Sequence, residues 1–356
     1  MSQAVVRSLP GAHMRSEIRE QPSRWLDLLH IQEAALREAA GLLTDHTDSV
    51  VLVARGSSDH AAIYAQYLVA QVLGLPAWLA TPSVASVVHR DVFTPRTLVV
   101  SVSQSGASPD LIATLESAHR CGARSVSFTN DPASPVAQLA DAHVDITAGV
   151  ERSVAATKSY TSELMSLQAW ARLAAGHAFA AVLDDAGRAA QAAWDVIDCF
   201  GEPAQALADE LSDADRMLFI GRGMSMATAK EAALKVIETC GVAASGWSAA
   251  DAKHGPLGQV GPSTPVFLLA ASAMGRDSVL ALTADVNARG GRVIVVGRPG
   301  ENSQTETYGA KFPTVEESLI PALEMIPLQL LALELALARG RDPDHPFGLS
   351  KVTRTL

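Results

Sequence analysis

The stretch "LVVSVSQSGASPDLI", from Leu98 to Ile112, joins three sequence patterns within a few residues. A run of apolar and β-branched residues ends in a cluster of small hydroxyl residues around Gly106, and a helical pattern resumes at Pro109. An uninterrupted apolar strand is usually buried on both faces of a parallel sheet. The stretch therefore predicts a buried parallel strand, a polar turn, and a helix that starts near Pro109.

The same order of strand, turn and helix recurs on both sides of this stretch. It occurs earlier in "SVVLVARGSSDHAAIYAQYLVAQVL" and later in "RMLFIGRGMSMATAKEAALKVIE". Aligning "VLVARGSSDHA" with "LFIGRGMSMAT" matches Arg55-Gly56 to Arg222-Gly223 and Ser58 to Ser225. This match indicates an internal repeat, and hence two similar domains.

Further short apolar segments predict the remaining strands: "RSVSFTN", "AHVDITAG", "TPVFLLAASAM", "GRVIVVGRP" and "FPTVEE". Strands that alternate with helical stretches are typical of an α/β fold with helices on both faces of the sheet. The predicted fold is α/β, with two tandem doubly wound (flavodoxin-like) parallel-sheet domains, flanking helices and a C-terminal tail.

The predicted organisation has five parts: an N-terminal helical segment 1–41, a first domain 42–175, a helical linker 176–212, a second domain 213–340 and a tail 341–356. Residues 14–41 are predicted to be helical. Their apolar positions are spaced to form one face, made by Ile18, Trp25, Leu28, Leu29 and Ile31.

The composition restricts the class of protein. The chain has 356 residues, of which 48% are hydrophobic, so it can bury a large core. Its formal net charge of -10 and the lack of a Lys or Arg block argue against a nucleic-acid partner, which requires a concentrated basic face. An anionic ligand is therefore expected to be small and locally recognised.

The sequence also indicates a cytoplasmic protein. Cys121, Cys199 and Cys240 are odd in number and widely separated, which predicts neither a disulfide framework nor a zinc site. The first residues lack an apolar run of signal-peptide length. The apolar segment 318–337 contains Glu324 and Glu334, so we expect a buried helix and no membrane partner.

The cluster of hydroxyl residues in the opening stretch predicts a phosphate site. Ligands of parallel sheets bind beyond the carboxyl ends of the strands, where a helix start offers unpaired N–H groups. Ser103, Gln104, Ser105 and Ser108 fall at such a point, and Gly106 lets the backbone approach a ligand closely. The alternative is that Ser105 or Ser108 only caps the following helix.

Other cofactor and metal sites are less well supported. Gly221-Arg222-Gly223 follows a predicted strand, but Met226 stands where a dinucleotide-binding fingerprint has glycine. The sequence contains no Walker glycine–lysine pattern and no His-Glu-x-x-His, and its histidines are scattered. We therefore expect no cofactor and no metal ion.

Eight motifs resemble those of the sugar isomerase (SIS) domain family: "MRSEIREQP", "ARGSS", "SVSQSGAS", "SVAATKSY", "GRGMS", "EAALKVIE", "KHGPLGQV" and "DPDHPFGLSKVT". Within that family the chain resembles the isomerase half of glucosamine-6-phosphate synthase over almost its whole length. The synthase has an additional N-terminal glutaminase domain. The chain begins close to where the isomerase half would begin, so we expect no glutaminase.

The resemblance implies roles for particular residues. It assigns the sugar phosphate to Ser58, Ser103, Gln104, Ser105 and Ser108. The sugar itself would contact Val154, Ala156 and Ser350, although the synthase has a serine in place of Ala156.

The resemblance also implies the residues that carry the chemistry. Glu238 would move a proton between C1 and C2 with Lys235 beside it, and Lys351 would form a Schiff base. His254 would open the sugar ring from the partner subunit of a homodimer.

The residues themselves leave alternatives open. Lys235 and Glu238 share a helix face, but with Glu231 they could equally be an exposed row of ion pairs. A helix that starts at a Gly-rich strand end directs its early residues at the ligand crevice, where a carboxylate can shuttle a proton.

Lys351 is a nucleophile only if the tail folds back over the crevice, where the tail could also act as a lid. The Gly-Pro turn after His254 fixes its loop.

The leading functional hypothesis is a glucosamine-6-phosphate deaminase that yields fructose 6-phosphate and ammonia. Galactosamine-6-phosphate deaminase or isomerase and fructosamine-6-phosphate deglycase activities are alternatives, because they would use the same phosphate site. A non-catalytic sugar-phosphate sensor is a further alternative. A DNA-binding sensor is disfavoured, since the roughly 45 residues before the first strand are too few for a helix-turn-helix domain.

Overall fold

The computed structural model describes residues 9–298, 306–308 and 315–351, and the strands of these residues form two parallel sheets. The first sheet contains β1 (Ser49–Val53), β2 (Ala77–Leu79), β3 (Thr97–Ser103), β4 (Arg124–Thr129) and β5 (Ala142–Asp145). The second contains β6 (Arg216–Gly221), β7 (Ala243–Ser248), β8 (Pro265–Ala270), β9 (Arg292–Gly297) and β10 (Glu306–Tyr308).

The two sheets have the same topology. The strand order is β2-β1-β3-β4-β5 in the first and β7-β6-β8-β9-β10 in the second, which is the flavodoxin-like order in both. All pairings are parallel, with Val50 opposite Leu98 in the first sheet and Leu218 opposite Val266 in the second. The predicted pair of doubly wound domains is confirmed.

The helices of the described residues are α1 (Ala12–Gly41), α2 (Ser57–Leu68), α3 (Pro82–Ser86), α4 (Pro109–Arg120), α5 (Pro135–Leu139), α6 (Lys158–Ala174), α7 (Phe179–Glu210), α8 (Ser225–Cys240), α9 (Ala249–Ala252), α10 (Arg276–Leu280), α11 (Thr283–Asn287) and α12 (Ile320–Ala338). A π-helical turn, Val69–Leu73, continues α2. Short 3₁₀ turns occupy Pro256–Gln259 and Glu317–Leu319.

The core lies where these helices cover the sheets. Every residue of β1 and of β3 is buried, as expected of strands covered on both faces. The segment Glu317–Ala338 is long and apolar enough to cross a membrane, but 94% of its most apolar window is buried within the protein. It forms α12 against α7 and α8, so the predicted buried helix is present.

Some predictions differ from the structure. The strands β2, β7 and β10 were not predicted; β2 and β10 have three residues each, and β7 is a half-buried edge strand. The strand predicted in "FPTVEE" is wrong for 315–317, which enter a 3₁₀ turn, and its first three residues lie outside the described ones.

The apolar face of α1 is narrower than predicted. Trp25 is fully buried whereas Ile31 is 64% exposed. An α-helix turns by about 100° per residue, and Ile31 follows Trp25 by six residues. Ile31 therefore lies about 120° around the helix from Trp25, beyond the buried face.

The described part of the tail returns to the start of the chain. Asp344 accepts hydrogen bonds from the backbone N–H groups of His13 (2.9 Å) and Met14 (2.8 Å) in the first turn of α1. Asp342 accepts one from Gly11 N at 3.2 Å. The two carboxylates accept hydrogen bonds from N–H groups that have no partner within the helix at its start. They bring residues up to Lys351 back to the first domain, while the remaining tail, 352–356, lies outside the described residues.

Candidate active site

A cavity of about 370 Å³ lies beyond the carboxyl ends of β1 and β3, where the strand order of the first sheet reverses. Ligands of doubly wound sheets bind at this position. The cavity is lined by Arg55, Gly56, Ser57, Ser58, Ser103, Gln104, Ser105, Ser108, Val154, Ala156, Ser159, Glu163, Glu238, Leu349, Ser350 and Lys351. It thus collects residues from the first domain, from α8 of the second, and from the tail.

Most of the residues singled out in the sequence meet in this cavity. Its lining includes Ser58, Ser103, Gln104, Ser105, Ser108, Val154, Ala156, Glu238, Ser350 and Lys351. Lys235 lies directly behind the wall and bonds Glu238. His254 is exposed in the loop after α9, and it is absent from the cavity lining.

The loop between β3 and α4 presents hydroxyl groups to the cavity. Ser103 Oγ accepts a hydrogen bond from Gly106 N at 3.1 Å, which folds the loop on itself. Ser108 is the residue before α4, yet its side chain makes no capping bond, and its buried Oγ has no hydrogen-bond partner among the described residues. Capping of α4 therefore does not account for the serine at this position.

Gly106 is required by the shape of this loop. Its φ is +57°, and a Cβ added to it would lie 2.1 Å from Ser134 Oγ. Only glycine fits both the backbone conformation and the space. The loop backbone consequently packs close to Ser134 and keeps its hydroxyl groups on the cavity side.

Arg55 is a positive group in the cavity lining that was not among the predicted site residues. Its Nη2 lies 2.5 Å from Oδ2 of Asp110, in the first turn of α4. Burial raises the pKa of Asp110, but bonds from Ser86 and Arg55 outweigh this and leave it below its usual value. Two sequence signals include Arg55: the internal repeat, where it aligns with Arg222, and the motif "ARGSS".

A buried ammonium group supports the carboxylate of Glu238. Lys235 Nζ lies 2.6 Å from Glu238 Oε2 and 3.2 Å from Glu231 Oε1, and the side chains of Lys235 and Glu231 are fully buried. Burial alone would lower the pKa of Lys235, but the two carboxylates outweigh it and hold the pKa above its ordinary value. The alternative of an exposed ion-pair row is therefore wrong.

Glu231 is held in the same network by two further groups. Its Oε2 lies 2.7 Å from His60 Nδ1, and burial, which raises its pKa, is outweighed by Lys235, His60 and Ser57. Lys235 also donates to Ser57 Oγ at 3.2 Å. The ammonium group of Lys235 is thus held in position by Glu231 and Ser57, and Glu231 by His60. The same ammonium group holds the carboxylate of Glu238.

The route by which Glu238 reaches the cavity differs from the prediction. It is the fourteenth residue of the sixteen-residue α8, not one of its early residues. It lies in the last turn of α8, far from the glycine turn that precedes this helix. The C-terminal turn of α8 therefore delivers Glu238 to the crevice of the first domain, because α8 packs against α2.

The tail places Lys351 in the cavity as an ion pair. Lys351 Nζ lies 2.6 Å from Oε2 of Glu151, a fully buried carboxylate. Glu151 also accepts hydrogen bonds from Thr157 N, Ser159 N and Ser159 Oγ. Burial raises the pKa of Glu151, but Lys351 and Ser159 outweigh this and hold it below its usual value. Glu151 was not among the predicted site residues, although it stands three residues before Val154.

The described residues offer no metal centre: no three His, Cys, Asp or Glu side chains among them are grouped as ligands. The three cysteines are free. The polar side-chain groups that the cavity presents are hydroxyls, the amide of Gln104, two carboxyls and two cations.

Comparison with known proteins gives the family. The family model described as "SIS domain" matches residues 42–173 and again 210–339. The glutamine–fructose-6-phosphate aminotransferase (isomerizing) of Thermococcus kodakarensis is 33% identical over 344 residues, which is 95% of this chain and 57% of that protein. The chain therefore spans little more than half the length of this curated relative.

Solved structures have the same fold. The C-terminal domain of glucosamine-fructose-6-phosphate aminotransferase from Francisella tularensis superposes with a TM-score of 0.84 at 24% identity, covering 97% of this chain and 100% of that one. A glucosamine-6-phosphate deaminase from Thermotoga maritima gives 0.76 at 20% identity, covering 97% and 100%. With two matches to the family model and this likeness, the chain belongs to the SIS domain family and is a relative of the isomerase half of the aminotransferase.

Proposed function

We propose that this protein is a glucosamine-6-phosphate deaminase, converting glucosamine 6-phosphate and water to fructose 6-phosphate and ammonia. The observation that carries the proposal is the meeting, in one cavity, of a hydroxyl loop, the carboxylate of Glu238 and the amine of Lys351. A sugar phosphate needs these three functions for binding, proton transfer and imine exchange. The curated relatives support the substrate class, since their names refer to fructose 6-phosphate.

The phosphate group would bind to the loop between β3 and α4. Ser103, Ser105 and Ser108 supply hydroxyl groups, and the start of α4 supplies N–H groups and the positive end of a helix dipole. Arg55 adds a cation on the same wall. Neutral donors and one paired cation suit an acidic protein that binds a small dianion.

Glu238 would transfer the proton. In the open-chain sugar its carboxylate removes the hydrogen from C2 and returns it to C1 while one amine proton passes to O1, which converts the 2-amino aldehyde into the imine of fructose 6-phosphate. C1 is reduced and C2 oxidised within one molecule, so no external oxidant is needed. Lys235, held between two carboxylates, would stabilise the charged form of the base.

Lys351 would complete the reaction at C2. Its ammonium group gives a proton to the imine nitrogen, and the resulting amine attacks the imine carbon and expels ammonia, leaving a Schiff base that water hydrolyses to the ketose. One water enters and one ammonia leaves. The ion pair with Glu151 supports this role because it holds Lys351 Nζ at the cavity, 2.6 Å from a buried carboxylate.

His254 would act from a second subunit. In a single chain it is exposed and lies outside the cavity lining. In a homodimer, the loop of residues 253–256 would enter the partner's cavity. It would supply the imidazole of His254 for opening the sugar ring. The family resemblance supports this arrangement.

The test is a panel of phosphorylated amino sugars. Purified protein should release ammonia and fructose 6-phosphate from glucosamine 6-phosphate, measured with coupled enzymes. It should release ammonia more slowly from the galactosamine and fructosamine phosphates, whose sugar products differ from fructose 6-phosphate. Release from one of those two alone would move the assignment to that substrate. Thermal stabilisation by sugar phosphates without any product would contradict enzymatic function and favour a sensor.

The variant Glu238→Gln tests the proton-transfer step. The amide keeps the size of the side chain but removes the base, so turnover should fall by about 10²- to 10⁴-fold while binding persists. Glu116→Gln, an exposed position on α4 outside the cavity, is the matched substitution and should retain activity.

A further inference from the structure

Glu163 forms part of the cavity wall, and the reaction proposed above leaves it without a role. It lies on α6, its side chain is almost completely buried, and it lines the same cavity as Ser105 and Glu238. Glu238 in the same wall is paired with Lys235, whereas Glu163 has no ion-pair partner among the described residues. If Glu163 were ionised, it would repel the phosphate of an anionic sugar.

Half of this carboxyl group lacks a partner. Ser58 Oγ and Glu163 Oε1 are joined by a hydrogen bond of 2.7 Å, whereas Oε2 is buried and has no hydrogen-bond partner among the described residues. A buried polar atom without a partner is destabilising, and such atoms are rare in folded proteins. In a cavity wall, an unpaired oxygen is explained if a ligand atom completes the hydrogen bond.

The surroundings favour the uncharged form of Glu163. Burial raises its pKa well above the usual value, the bond from Ser58 lowers it, Glu231 and Glu151 raise it further, and Lys351 lowers it. The buried hydroxyl of Tyr160, on the same helix, adds no charge, and its own pKa is raised by burial. A protonated carboxyl has one O–H donor, in contrast to a carboxylate, which only accepts.

We propose that Glu163 is a neutral carboxylic acid that donates a hydrogen bond to an oxygen atom of the bound sugar phosphate. The hydrogen bond from Ser58 Oγ to Oε1 fixes the plane of the carboxyl group and therefore the position of Oε2. Glu163 then selects ligands with an acceptor oxygen at this point of the cavity, and it tolerates the phosphate because it carries no charge. The inference rests on the proposed function only for the class of ligand.

Binding of fructose 6-phosphate by calorimetry at neutral pH tests the proposal without requiring turnover. Glu163→Gln keeps a donor and is neutral, so its Kd should stay within about threefold of the wild-type value. Glu163→Leu removes the donor, so its Kd should rise about tenfold or more. Glu324→Gln, at a buried carboxyl outside the cavity lining, is the matched control and should bind normally.

The opposite results would overturn the proposal. Equal loss of affinity in the Gln and Leu variants would mean that a charged carboxylate is needed, and normal affinity in the Leu variant would mean that no contact is made. Infrared difference spectra of wild type minus Glu163→Gln should show the carbonyl stretch of a protonated acid, whether or not Glu163→Leu folds; its absence would also overturn the idea. Binding of fructose 6-phosphate without deamination would defeat the proposed reaction alone, whereas no binding by wild type would defeat both.

Discussion

The environment of Lys235 determines what Glu238 can do. A buried ammonium between two carboxylates is stable only as a set, because removing one member leaves uncompensated charge in the interior. His60 and Ser57 complete the set, and Ser57 also lines the cavity. The reactivity of the cavity therefore depends on residues that a substrate would never touch.

Lys235→Met should uncouple this network. Without the ammonium the pKa of Glu231 rises, since its largest opposing charge is lost, and two carboxylates are left facing each other. We expect the acidic limb of the pH profile of kcat/KM to move to higher pH, and the free energy of unfolding to fall by about 3 to 5 kcal/mol. Lys230→Met, the same substitution at a half-buried position of α8, should change neither. An unaltered pH profile in a folded Lys235→Met protein would remove Lys235 from the mechanism.

Several residue-level features could be read from the sequence, and the reason is local. Ser103 to Ser108 lie in one loop, so their proximity follows from chain connectivity. The spacing of Lys235 and Glu238 gives a shared helix face but is the same for buried and exposed helices. The pairing of Lys351 with Glu151 joins residues 200 positions apart, and no local pattern predicts such a contact.

At the scale of single elements, the loop between β3 and α4 depends on one glycine. Gly106→Ala would place a Cβ 2.1 Å from Ser134 Oγ at a positive φ, so the loop must move. We expect the KM for the sugar phosphate to rise about tenfold or more, because displaced hydroxyls lose their hydrogen bonds to the phosphate. Steady-state kinetics measures this directly.

Gly74→Ala separates that effect from backbone strain. Gly74 also has a positive φ, +66°, but nothing lies within 4 Å of an added Cβ. Both substitutions should cost about 1 kcal/mol of stability through φ alone. A KM raised equally in both variants would mean that the loop has no special part in binding.

The buried helix α12 contains a carboxyl group whose titration should make the free energy of unfolding depend on pH. Glu324 is fully buried, and burial raises its pKa to about 7 despite a hydrogen bond from the Ala271 N–H group. Below the unfolded-state value of 4.5 both states are protonated. As the pH rises from there through 7, the unfolded state ionises first, so stability is progressively lost.

Glu324→Gln should remove this loss. Between about pH 5 and about pH 8, the wild type should lose about 2 to 3 kcal/mol more stability than the variant. Urea unfolding at the two pH values measures the difference. Glu334→Gln, on the same helix and paired with Arg15, is the control and should not reproduce it. Parallel pH dependence of the wild type and Glu324→Gln would contradict the assignment.

The elements themselves were predictable where burial leaves a strong pattern. β1, β3, β6, β8 and β9 contain runs of apolar residues, and β4 and β5 alternate polar with apolar residues, so the sequence shows all seven. β2 and β10 have three residues, too few to show a period, and β7 reads "AASGWS", which lacks one. Edge strands are covered on fewer sides, so their sequences are less constrained.

At the scale of the whole molecule, the cavity is assembled from distant parts of the chain. The first domain supplies the serine loop, α8 of the second supplies Glu238, and the tail supplies Lys351. Asp342 and Asp344 hold the tail against the start of α1. The internal repeat predicted two similar domains, but it could not predict that only one of the two crevices would collect these residues.

A mixing experiment tests whether His254 acts across subunits. Glu238→Gln and His254→Ala chains should each be nearly inactive alone. If His254 enters the partner's cavity, a mixed dimer has one cavity with both native residues, so random assembly of equal amounts should restore about a quarter of wild-type activity per chain. If both residues act within one chain, no cavity in the mixture is complete and activity stays at the level of the parents. Mixing after partial unfolding ensures exchange, and Glu238→Gln mixed with Glu238→Gln,His254→Ala is the control that should remain inactive under either geometry.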